Sequence, residues 1–460
     1  MKILFASLAA EGHLNPLTGI AVHLRTKGHD VRWYTGASMA GKLAKLGIPL
    51  LPFRCATEIT GENLPTFFPE RAKLRGIKQI RFDGEKIMLA NVDAYFQDVK
   101  QINEDFPFDL LFCDSAFYGA RLIKEKLGKR VFALHAGPES MEDAPNLPPT
   151  FLGRKPVTTP IGRTFYRILK VGVDRMVNRP LQIGYNQVLA GHGVQPIRWS
   201  VLEETFRTAD VTFLNGVPGL TYPRDRRNPS VVFAGACHPY RDPAGHSGRL
   251  PEQLGHFPST VLVSQGTVDN VDPGKLMIPA LDALHDTDCL IVVATGGRRT
   301  AELRRLYPYR NVVITDWIDF NAILPHVDVF VCNGGSGSLL LSLSAGVPVV
   351  TAGTREGKND NNAHIDYLGL GINLRTERPT ASRIKRAVYT VLRNPVYRRN
   401  VGRIREEIDR YHPWDIIDTH LAAVAAPKIR SRPETASRSS ASSATEASIL
   451  PRERSSISEP

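Results

Sequence analysis

Two polar side chains occur where parallel strands are predicted to end, a position at which α/β proteins often place acid–base chemistry. His13 follows the strand pattern of residues 2–8, and Asp114 closes the strand pattern of residues 109–114. Histidine titrates near neutral pH, so an imidazole can accept a proton from an attacking hydroxyl. A carboxylate on the other ring nitrogen would fix the tautomer and stabilise the imidazolium. We therefore predict a general base, His13, supported by Asp114; the residue types alone also fit a surface histidine and a helix-capping aspartate.

A glycine-rich turn follows another strand pattern, at residues 327–332. It reads Asn333-Gly-Gly-Ser-Gly-Ser338 and leads into the helical pattern of residues 338–345. Glycines let backbone N–H groups approach an anion closely, and the N-terminus of a helix favours negative charge. The segment is therefore typical of a site for the diphosphate of a nucleotide, although tight packing alone can also select glycine in such a turn.

The elements that must position these residues alternate between strand and helix. In the first half, strand patterns at 2–8, 31–35, 109–114 and 131–135 alternate with helical patterns at 14–26 and 116–127. In the second half, strand patterns lie at 260–264, 289–295, 312–315, 327–332 and 347–352, with helical patterns at 275–285 and 338–345. Two such series predict two doubly wound α/β domains, with ligands held between them at the carboxyl ends of the strands.

The bulk composition excludes several classes of protein. With 42% hydrophobic and 23% charged residues, the 460-residue chain has the composition of a soluble globular protein. No apolar run approaches the roughly 18 residues that span a bilayer, and the N-terminus lacks the layout of a secretory signal, so we expect a cytoplasmic protein. The cysteines show no CxxC pair and no metal-like spacing, which predicts neither disulfides nor a metal site.

The chain is strongly basic, with a formal net charge of +12. A basic surface can indicate nucleic acid or an anionic membrane as a partner. No nucleic-acid-binding module is recognisable, so we predict no nucleic-acid partner and interpret the charge as suited to an anionic donor. Peripheral contact with a membrane stays open as an alternative.

Several segments, in order along the chain, resemble the family 1 glycosyltransferases, and in particular their bacterial macrolide-glycosyltransferase-like branch. Asn333-Gly-Gly335, Ser338 and Gly346-Val-Pro348 follow the order and spacing of that family's signature. Upstream, Asp316-Trp317-Ile318 resembles the segment whose indole stacks on the donor base, and residues 263–267 resemble the turn that meets the donor phosphate. Residues 11–17 resemble the acceptor-side loop, and the match spans roughly residues 1–425.

The resemblance implies the GT-B fold, in which two Rossmann-like doubly wound domains face a central cleft and a final helix crosses back onto the first domain. We accordingly predict an N-terminal acceptor-binding domain over residues 1–215, a linker region over 216–257 and a C-terminal nucleotide-sugar-binding domain over 258–400. The crossing helix is expected over residues 401–426. Residues 427–460 are almost without apolar side chains and should form a disordered C-terminal tail.

The resemblance also implies the chemistry: an acceptor hydroxyl attacks the anomeric carbon of a nucleotide sugar with inversion, without a metal or other cofactor. His13 and Asp114 are then the catalytic residues, and the nucleotide sugar is a co-substrate. The implied donor-binding residues are Gly12, Gly266, Thr267, Trp317, Ile318, Asn333, Gly334, Gly335, Ser336, Gly337, Ser338, Glu356 and Lys358.

The sequence departs from the family pattern at the donor side. Asn333 replaces the usual phosphate-contacting histidine and cannot carry a positive charge. Leu341 stands where a ribose-binding glutamate is common, and Lys358-Asn359 stands where an Asp-Gln pair usually contacts the sugar. These departures leave the donor open: UDP-glucose is expected first, and a dTDP-deoxysugar is the competitor.

Three functions fit these residues. The first is transfer of a hexose to a small hydrophobic acceptor, whose pocket would be lined by residues 55–100 and 138–200. The second is a nucleotide-sugar epimerase on the same fold, against which the residues around His13 argue. The third is a non-catalytic auxiliary protein that binds the donor, against which the retention of both His13 and Asp114 argues. The sequence leaves the acceptor and the oligomeric state open.

Overall fold

The computed structural model describes residues 1–137, 144–224, 228–241, 250–266 and 270–425. The first of its two sheets has the strand order β3-β2-β1-β4-β5-β6-β7, and the second has the order β10-β9-β8-β11-β12-β13. The strands of the first sheet are β1 Lys2–Ala6, β2 Asp30–Thr35, β3 Leu50–Pro52, β4 Leu110–Asp114, β5 Arg130–His135, β6 Val211–Asn215 and β7 Val231–Gly235. Those of the second are β8 Ser259–Ser264, β9 Cys289–Ala294, β10 Val312–Thr315, β11 Val329–Cys332, β12 Val349–Thr351 and β13 Gly371–Asn373.

All of these strands pair in parallel, and helices cover both faces of each sheet. In β1, Ile3 and Phe5 pack into one apolar layer while Leu4 and Ala6 pack into the other. Successive side chains of a strand point to opposite faces, so a strand that is buried on both sides becomes a continuous apolar run. The second sheet is sandwiched in the same way. These two layered domains confirm the predicted α/β, GT-B-type fold.

The helices connect the strands of the two sheets. In the first part of the chain they are α1 Glu11–Thr26, α2 Ala40–Lys45, α3 Leu64–Phe67, α4 Gly76–Asp83, α5 Val92–Asp105, α6 Ala120–Leu127, α7 Pro160–Val173, α8 Arg179–Gly191 and α9 Glu204–Thr208. In the rest of the described chain they are α10 Met277–Leu284, α11 Thr300–Leu306, α12 Phe320–Ile323, α13 Ser336–Ser344, α14 Lys358–Tyr367, α15 Ala381–Arg393, α16 Pro395–Ile408 and α17 Pro413–Ala425. Among these residues no helix is both long enough and apolar enough to cross a membrane.

The first helix begins earlier than the sequence predicts. Residues 9–13 were expected to form a loop before a helix at 14–26, but α1 starts at Glu11, so His13 lies in its first turn. With this earlier start Pro16 lies inside α1 and not in its first turn, so the proline removes the N–H that would otherwise bond to the Gly12 oxygen. The second helical pattern also shifts, since α6 begins at Ala120 and not near Ala116.

The connection between the domains and the C-terminus differ in detail from the expectation. The segment 216–257, predicted as a linker, contains β7, which completes the first sheet. The single helix expected over 401–426 is two helices, because the chain turns at residues 409–412 and Pro413 starts α17. α16 packs into the core of the second domain through Val401 and Ile404, whereas α17 packs into the first. The predicted tail, 427–460, lies outside the described residues.

Candidate active site

The His13 imidazole and the Asp114 carboxylate form a hydrogen-bonded pair at the carboxyl end of the first sheet. Their strands, β1 and β4, are neighbours with Ala6 opposite Cys113, so the residues that follow them meet at one edge. His13 Nδ1 lies 3.0 Å from Asp114 Oδ1. Because a carboxylate only accepts, Nδ1 carries the proton of the neutral imidazole, and in that form Nε2 keeps its lone pair. The structure thus brings together the two side chains predicted as base and partner.

Asp114 is held firmly while His13 stays accessible. The Asp114 side chain is 6% exposed, and that of His13 is 40% exposed. The carboxylate also accepts the backbone N–H groups of Leu8, at 3.1 Å, and Ala116, at 2.7 Å. Asp114 therefore orients the imidazole and caps the turn after β4, but it caps no helix, because α6 begins only at Ala120 with Gly119 as its N-cap.

The charges around His13 favour its protonated form. Burial lowers the pKa of His13, but the charge and hydrogen bond of Asp114, together with the charge of Glu356, outweigh it and raise the pKa above 6.5. Glu356 belongs to the second domain, so a charge from one domain acts on the histidine of the other. A base with a raised pKa is a stronger proton acceptor at neutral pH.

The glycine-rich turn lies at the start of α13, in the second domain. Gly335 occupies the N-cap position, and α13 begins at Ser336. Gly334 has a φ of 87°, and a β-carbon there would overlap the Asn362 side chain, so glycine is required. This arrangement points the first N–H groups of α13 toward the space after β11, as an anion site needs. Gly337 and Ser338 lie in the first turn of the same helix.

Asn333 is a structural link within this turn. Its side chain is buried; Nδ2 donates to the backbone oxygen of Gln265, and Oδ1 accepts the N–H of Gly335 at 3.3 Å. The amide therefore ties the end of β8 to the glycine-rich turn. Gly266 has a φ of 80°, and a β-carbon added to it would lie 3.5 Å from Asn333 Nδ2. Thr267, predicted beside it, lies outside the described residues.

The loop before α14 carries a charged pair. Lys358 Nζ lies 2.8 Å from Glu356 Oε2, and the lysine side chain is only 11% exposed. Glu356 has a φ of 56°, which is the left-handed region and strained for a residue other than glycine. Burial raises the pKa of Glu356, but the positive charges of Lys358 and Arg71 outweigh it and lower the pKa. The ion pair thus holds the buried Lys358 ammonium against a Glu356 carboxylate that is 50% exposed.

Trp317 is exposed beside a glycine turn. Its side chain is 64% exposed. A β-carbon added to Gly297 would lie 3.6 Å from the Trp317 Nε1 atom, so the indole lies beside that glycine. Core packing is thereby excluded, and a flat apolar surface is open for a base to stack on. Ile318, also predicted for the donor, packs partly buried against the core of the second domain. Gly12 lies exposed in the first turn of α1, on the first-domain side of the cleft.

Sequence reasoning missed three groups at this site. His135, at the end of β5, has Nδ1 2.8 Å from Ser115 Oγ, next to Asp114. Asn361 donates to the Gly334 oxygen at 2.9 Å and supports the glycine-rich turn from α14, whereas Asn362 donates to the oxygen of Gly353, after β12, also at 2.9 Å. His135 could have been found by the rule that located Asp114, since it also ends a strand of the first sheet.

The two domains are joined at the cleft by α14 and residues 151–155. Asp360 accepts the backbone N–H groups of Phe151 and Gly153, the latter at 2.7 Å. Asn359 donates to the Phe151 oxygen, and Lys155 pairs with Asp366 at 2.9 Å. A first-domain segment is thus fastened to the helix that follows the Glu356 loop.

An apolar cavity lies behind this segment. It is lined mainly by Ile77, Ile80, Phe151, Leu152, Val173 and Val177. Both stretches predicted to line an acceptor pocket, 55–100 and 138–200, contribute to it. Within the described part of the chain, no group of three or more His, Cys, Asp or Glu side chains could hold a metal ion.

Comparison with known proteins places these features in context. Residues 279–422 match the family described as "Erythromycin biosynthesis protein CIII-like, C-terminal domain". The 4′-demethylrebeccamycin synthase of Lentzea aerocolonigenes is 34% identical over 409 residues, covering 88% of this chain and 95% of that protein. UDP-glucosyltransferase 1 of Beauveria bassiana is 29% identical over 456 residues, covering 93% and 96%. The crystal structure of CalG4, the calicheamicin glycosyltransferase, superposes with a TM-score of 0.71 at 19% identity, covering 92% of this chain and 98% of that one.

Proposed function

The chain belongs to the family 1 glycosyltransferases with the GT-B fold, in their macrolide and natural-product group, and on that premise we propose that it moves a hexose to a hydroxyl of a small lipophilic acceptor. The proposed transfer inverts the anomeric carbon and uses no metal ion. The observation that carries the proposal is the His13–Asp114 pair, hydrogen-bonded and accessible from the cleft.

The proposed step moves one proton and exchanges one bond to carbon. The acceptor hydroxyl gives its proton to His13 Nε2 while its oxygen forms a bond to the anomeric carbon. The bond from that carbon to the nucleotide diphosphate breaks, and the diphosphate leaves with the electron pair. Asp114 stabilises the imidazolium that results, as a carboxylate does for a histidine base.

The second domain is proposed to hold the leaving group. The N–H groups at the start of α13 and the ammonium of Lys358 would stabilise the negative charge that develops on the diphosphate. Exposed Trp317 is assigned to the nucleobase. We propose UDP-glucose as the donor because a relative named as a UDP-glucosyltransferase aligns with 93% of the chain, and dTDP-sugars remain the competitor.

The acceptor class is proposed from the lining of the first-domain cavity. Its walls, which include Ile77, Ile80 and Leu152, are mostly aliphatic. The cavity itself is only about 10 Å³, room for about one water, so we propose that these side chains move apart to admit an apolar acceptor. The His13 imidazole supplies the one reactive polar group that a hydroxyl needs.

The test is transfer itself. Purified chain is incubated with UDP- and dTDP-sugars and with pooled phenolic, macrolide and lipid acceptors in the presence of a chelator, and mass spectrometry detects hexose adducts. We expect an adduct with the unchanged chain and a loss of at least about 10²-fold in rate for His13→Ala. The exposed His326→Ala variant is the matched control and should retain activity.

Three other results would contradict the proposal. An adduct that forms equally fast with His13→Ala would remove the assigned base. Strict dependence on a metal ion would remove the proposed mechanism. A donor that is altered without any acceptor would indicate epimerisation.

A further inference from the structure

The helix α7 and the turn after it expose large apolar side chains to solvent. The inward side of this segment is buried through Tyr166, Val173 and Val177. The side chains that face outward and stay exposed are Ile161 at 84%, Phe165 at 47%, Ile168 at 67%, Val171 at 48% and Met176 at 47%. Single exposed apolar residues are ordinary, but a contiguous group on one element marks an interaction surface.

The spacing of these residues places them together. Ile161, Phe165 and Ile168 are separated by four and three positions, so they lie on one side of the helix within two turns. α7 is 14 residues long, about 20 Å at 1.5 Å per residue, which is enough for a continuous apolar strip. We call this exposed strip, residues 161–176, the α7 face.

Positive charge surrounds the α7 face. Arg163, Arg167, Arg175 and Arg179 are all exposed, and Asp174 is the only acidic residue between positions 160 and 179. An amphipathic helix with apolar residues outward and arginines beside them is suited to an interface between hydrocarbon and anionic headgroups.

We propose that the α7 face docks the chain on an anionic membrane surface, with the helix lying in the headgroup region. Ile161, Ile168 and their neighbours would enter the acyl boundary while the arginine guanidiniums bind lipid phosphates. A second copy of this chain fits the face less well, because a symmetric interface would bring the same arginines against one another. The charge pattern thus favours a lipid surface over self-association.

The position of α7 gives docking a consequence for the acceptor. Val173 and Val177, on the inner side of the same segment, line the apolar cavity together with Ile77 and Phe151. Docking would therefore bring a membrane-dissolved lipophilic acceptor within one helix diameter of that cavity. This consequence rests on the proposed function, whereas the docking itself does not.

The test is sedimentation of the full chain with vesicles, without donor or acceptor. Vesicles of equal parts phosphatidylcholine and phosphatidylglycerol are compared with vesicles of phosphatidylcholine alone. We expect binding to the anionic vesicles that weakens with salt, and a loss of about tenfold or more in affinity for Ile161→Ser/Ile168→Ser. Arg163→Gln/Arg167→Gln should lose about fivefold for each arginine.

Matched controls keep the result specific to the face. Leu306→Ser removes an apolar side chain that is 56% exposed on the second domain, and Arg403→Gln removes an exposed charge there. Both should bind vesicles as the unchanged chain does. Thermal melting checks that all variants are folded, which is expected because the substituted side chains are exposed.

Three outcomes would overturn the proposal. The first is that the unchanged chain binds neither kind of vesicle. The second is that the α7 variants bind as well as the unchanged chain, which would place adsorption on other basic segments such as residues 426–460. The third is an oligomer, seen by analytical ultracentrifugation, that Ile161→Ser/Ile168→Ser dissociates, which would make the face a contact between copies. None of these readouts uses sugar transfer, so failure here is separable from failure of the proposed function.

Discussion

At the scale of single residues, the His13–Asp114 pair combines proton transfer with backbone support. His13 must be neutral to accept a proton, yet its surroundings raise its pKa above 6.5. The raised pKa increases proton affinity but restricts activity to pH values at which the imidazole has lost its proton. The acidic side of a pH–rate profile should therefore lie above 6.5 in the unchanged chain.

Replacing Asp114 by asparagine tests this assignment. The variant keeps an oxygen near His13 Nδ1 but loses the charge, so the pKa of His13 should fall and the acidic limb of kcat/KM should move to lower pH. The plateau should also fall by about 10²-fold, because the imidazolium loses its partner. Asp109→Asn is the control, since that carboxylate accepts the Lys2 N–H at the other end of β4. An acidic limb that does not move would show that Asp114 only caps the turn.

Asn333 shows a residue whose position was foreseen and whose contacts were not. The motif placed it beside the donor phosphate, and the structure places its amide between Gln265 and Gly335. Asn333 itself carries no charge, so positive character in this half of the cleft comes from the start of α13 and from Lys358 and Lys275, whose charges act on Glu356. Sequence alone could not assign the amide, because both hydrogen bonds run to backbone atoms.

At the scale of elements, the strands were the most predictable part of the molecule. Residues 260–264 were predicted as strand and β8 spans Ser259–Ser264, because a strand buried on both faces is visible as an apolar run. The strands β3, β6, β7 and β13 gave weaker patterns and were missed. The start of α1 was missed because Ala10 caps it without any side-chain hydrogen bond, which leaves no sequence signal.

The attachment of α14 to residues 151–155 could not have been foreseen. Phe151 and Asp360 are 209 positions apart, and their contact depends on how two separately folded domains meet. Phe151 has a φ of 67°, an unfavourable conformation for a bulky residue, which the Asp360 and Asn359 hydrogen bonds hold in place. The strained residue also lines the apolar cavity, so α14 shapes the proposed acceptor pocket.

Asp360→Asn should weaken this attachment. An amide oxygen can accept one of the two N–H groups, but its NH2 group faces the other, so a charge-assisted bond worth about 1.5–3 kcal/mol is lost. We expect KM for the acceptor to rise by about tenfold, with KM for the donor within about twofold. Lys155→Met is the control, because it removes the half-exposed ion pair to Asp366 on the same seam and should change either constant little. If both variants raised KM for the acceptor equally, the effect would come from domain contact in general and not from Asp360 itself.

At the scale of the whole molecule, the described part of the chain joins its domains at several places, and besides the Arg298–Glu62 ion pair at 3.1 Å three connections involve its last helices and α14. The α16–α17 turn carries the chain from the second core to the first, where Trp414 of α17 packs against Gly19 of α1. The α14 attachment joins them at the cleft. The third connection is a ring stack, in which His364 of α14 lies 3.6 Å from Tyr222, centroid to centroid, and Tyr222 donates to the backbone oxygen of Arg154 at 3.0 Å.

The pairing of functional residues across the cleft follows from this closure. His13 and Asp114 could be predicted together because they end neighbouring parallel strands of one sheet. The effect of the Glu356 charge on the pKa of His13 could not be predicted, because no local sequence pattern specifies how the second domain is oriented against the first. The contacts between site residues of one domain can thus be predicted from the sequence, whereas contacts between residues of different domains cannot.

The His364 stack should make the stability of the molecule depend on pH. His364 borders an apolar cavity of about 60 Å³ between the domains, and burial lowers its pKa to about 4. The unfolded chain takes up this proton below 6.5 and the folded chain only near 4, so the folded state loses stability as pH falls through that window. The full difference corresponds to about 3 kcal/mol, and about 2 kcal/mol of it is lost between neutral pH and about pH 5.

His364→Phe should remove this dependence while keeping a ring against Tyr222. Urea unfolding at neutral pH and at about pH 5 should show that the unchanged chain loses about 2 kcal/mol more than the variant over that interval. The comparison cancels the carboxylates that titrate in the same range, because both proteins contain them. The exposed His326→Gln variant should behave as the unchanged chain does. If all three proteins lost the same free energy of unfolding over this interval, His364 would take up its proton in the folded state as readily as in the unfolded one.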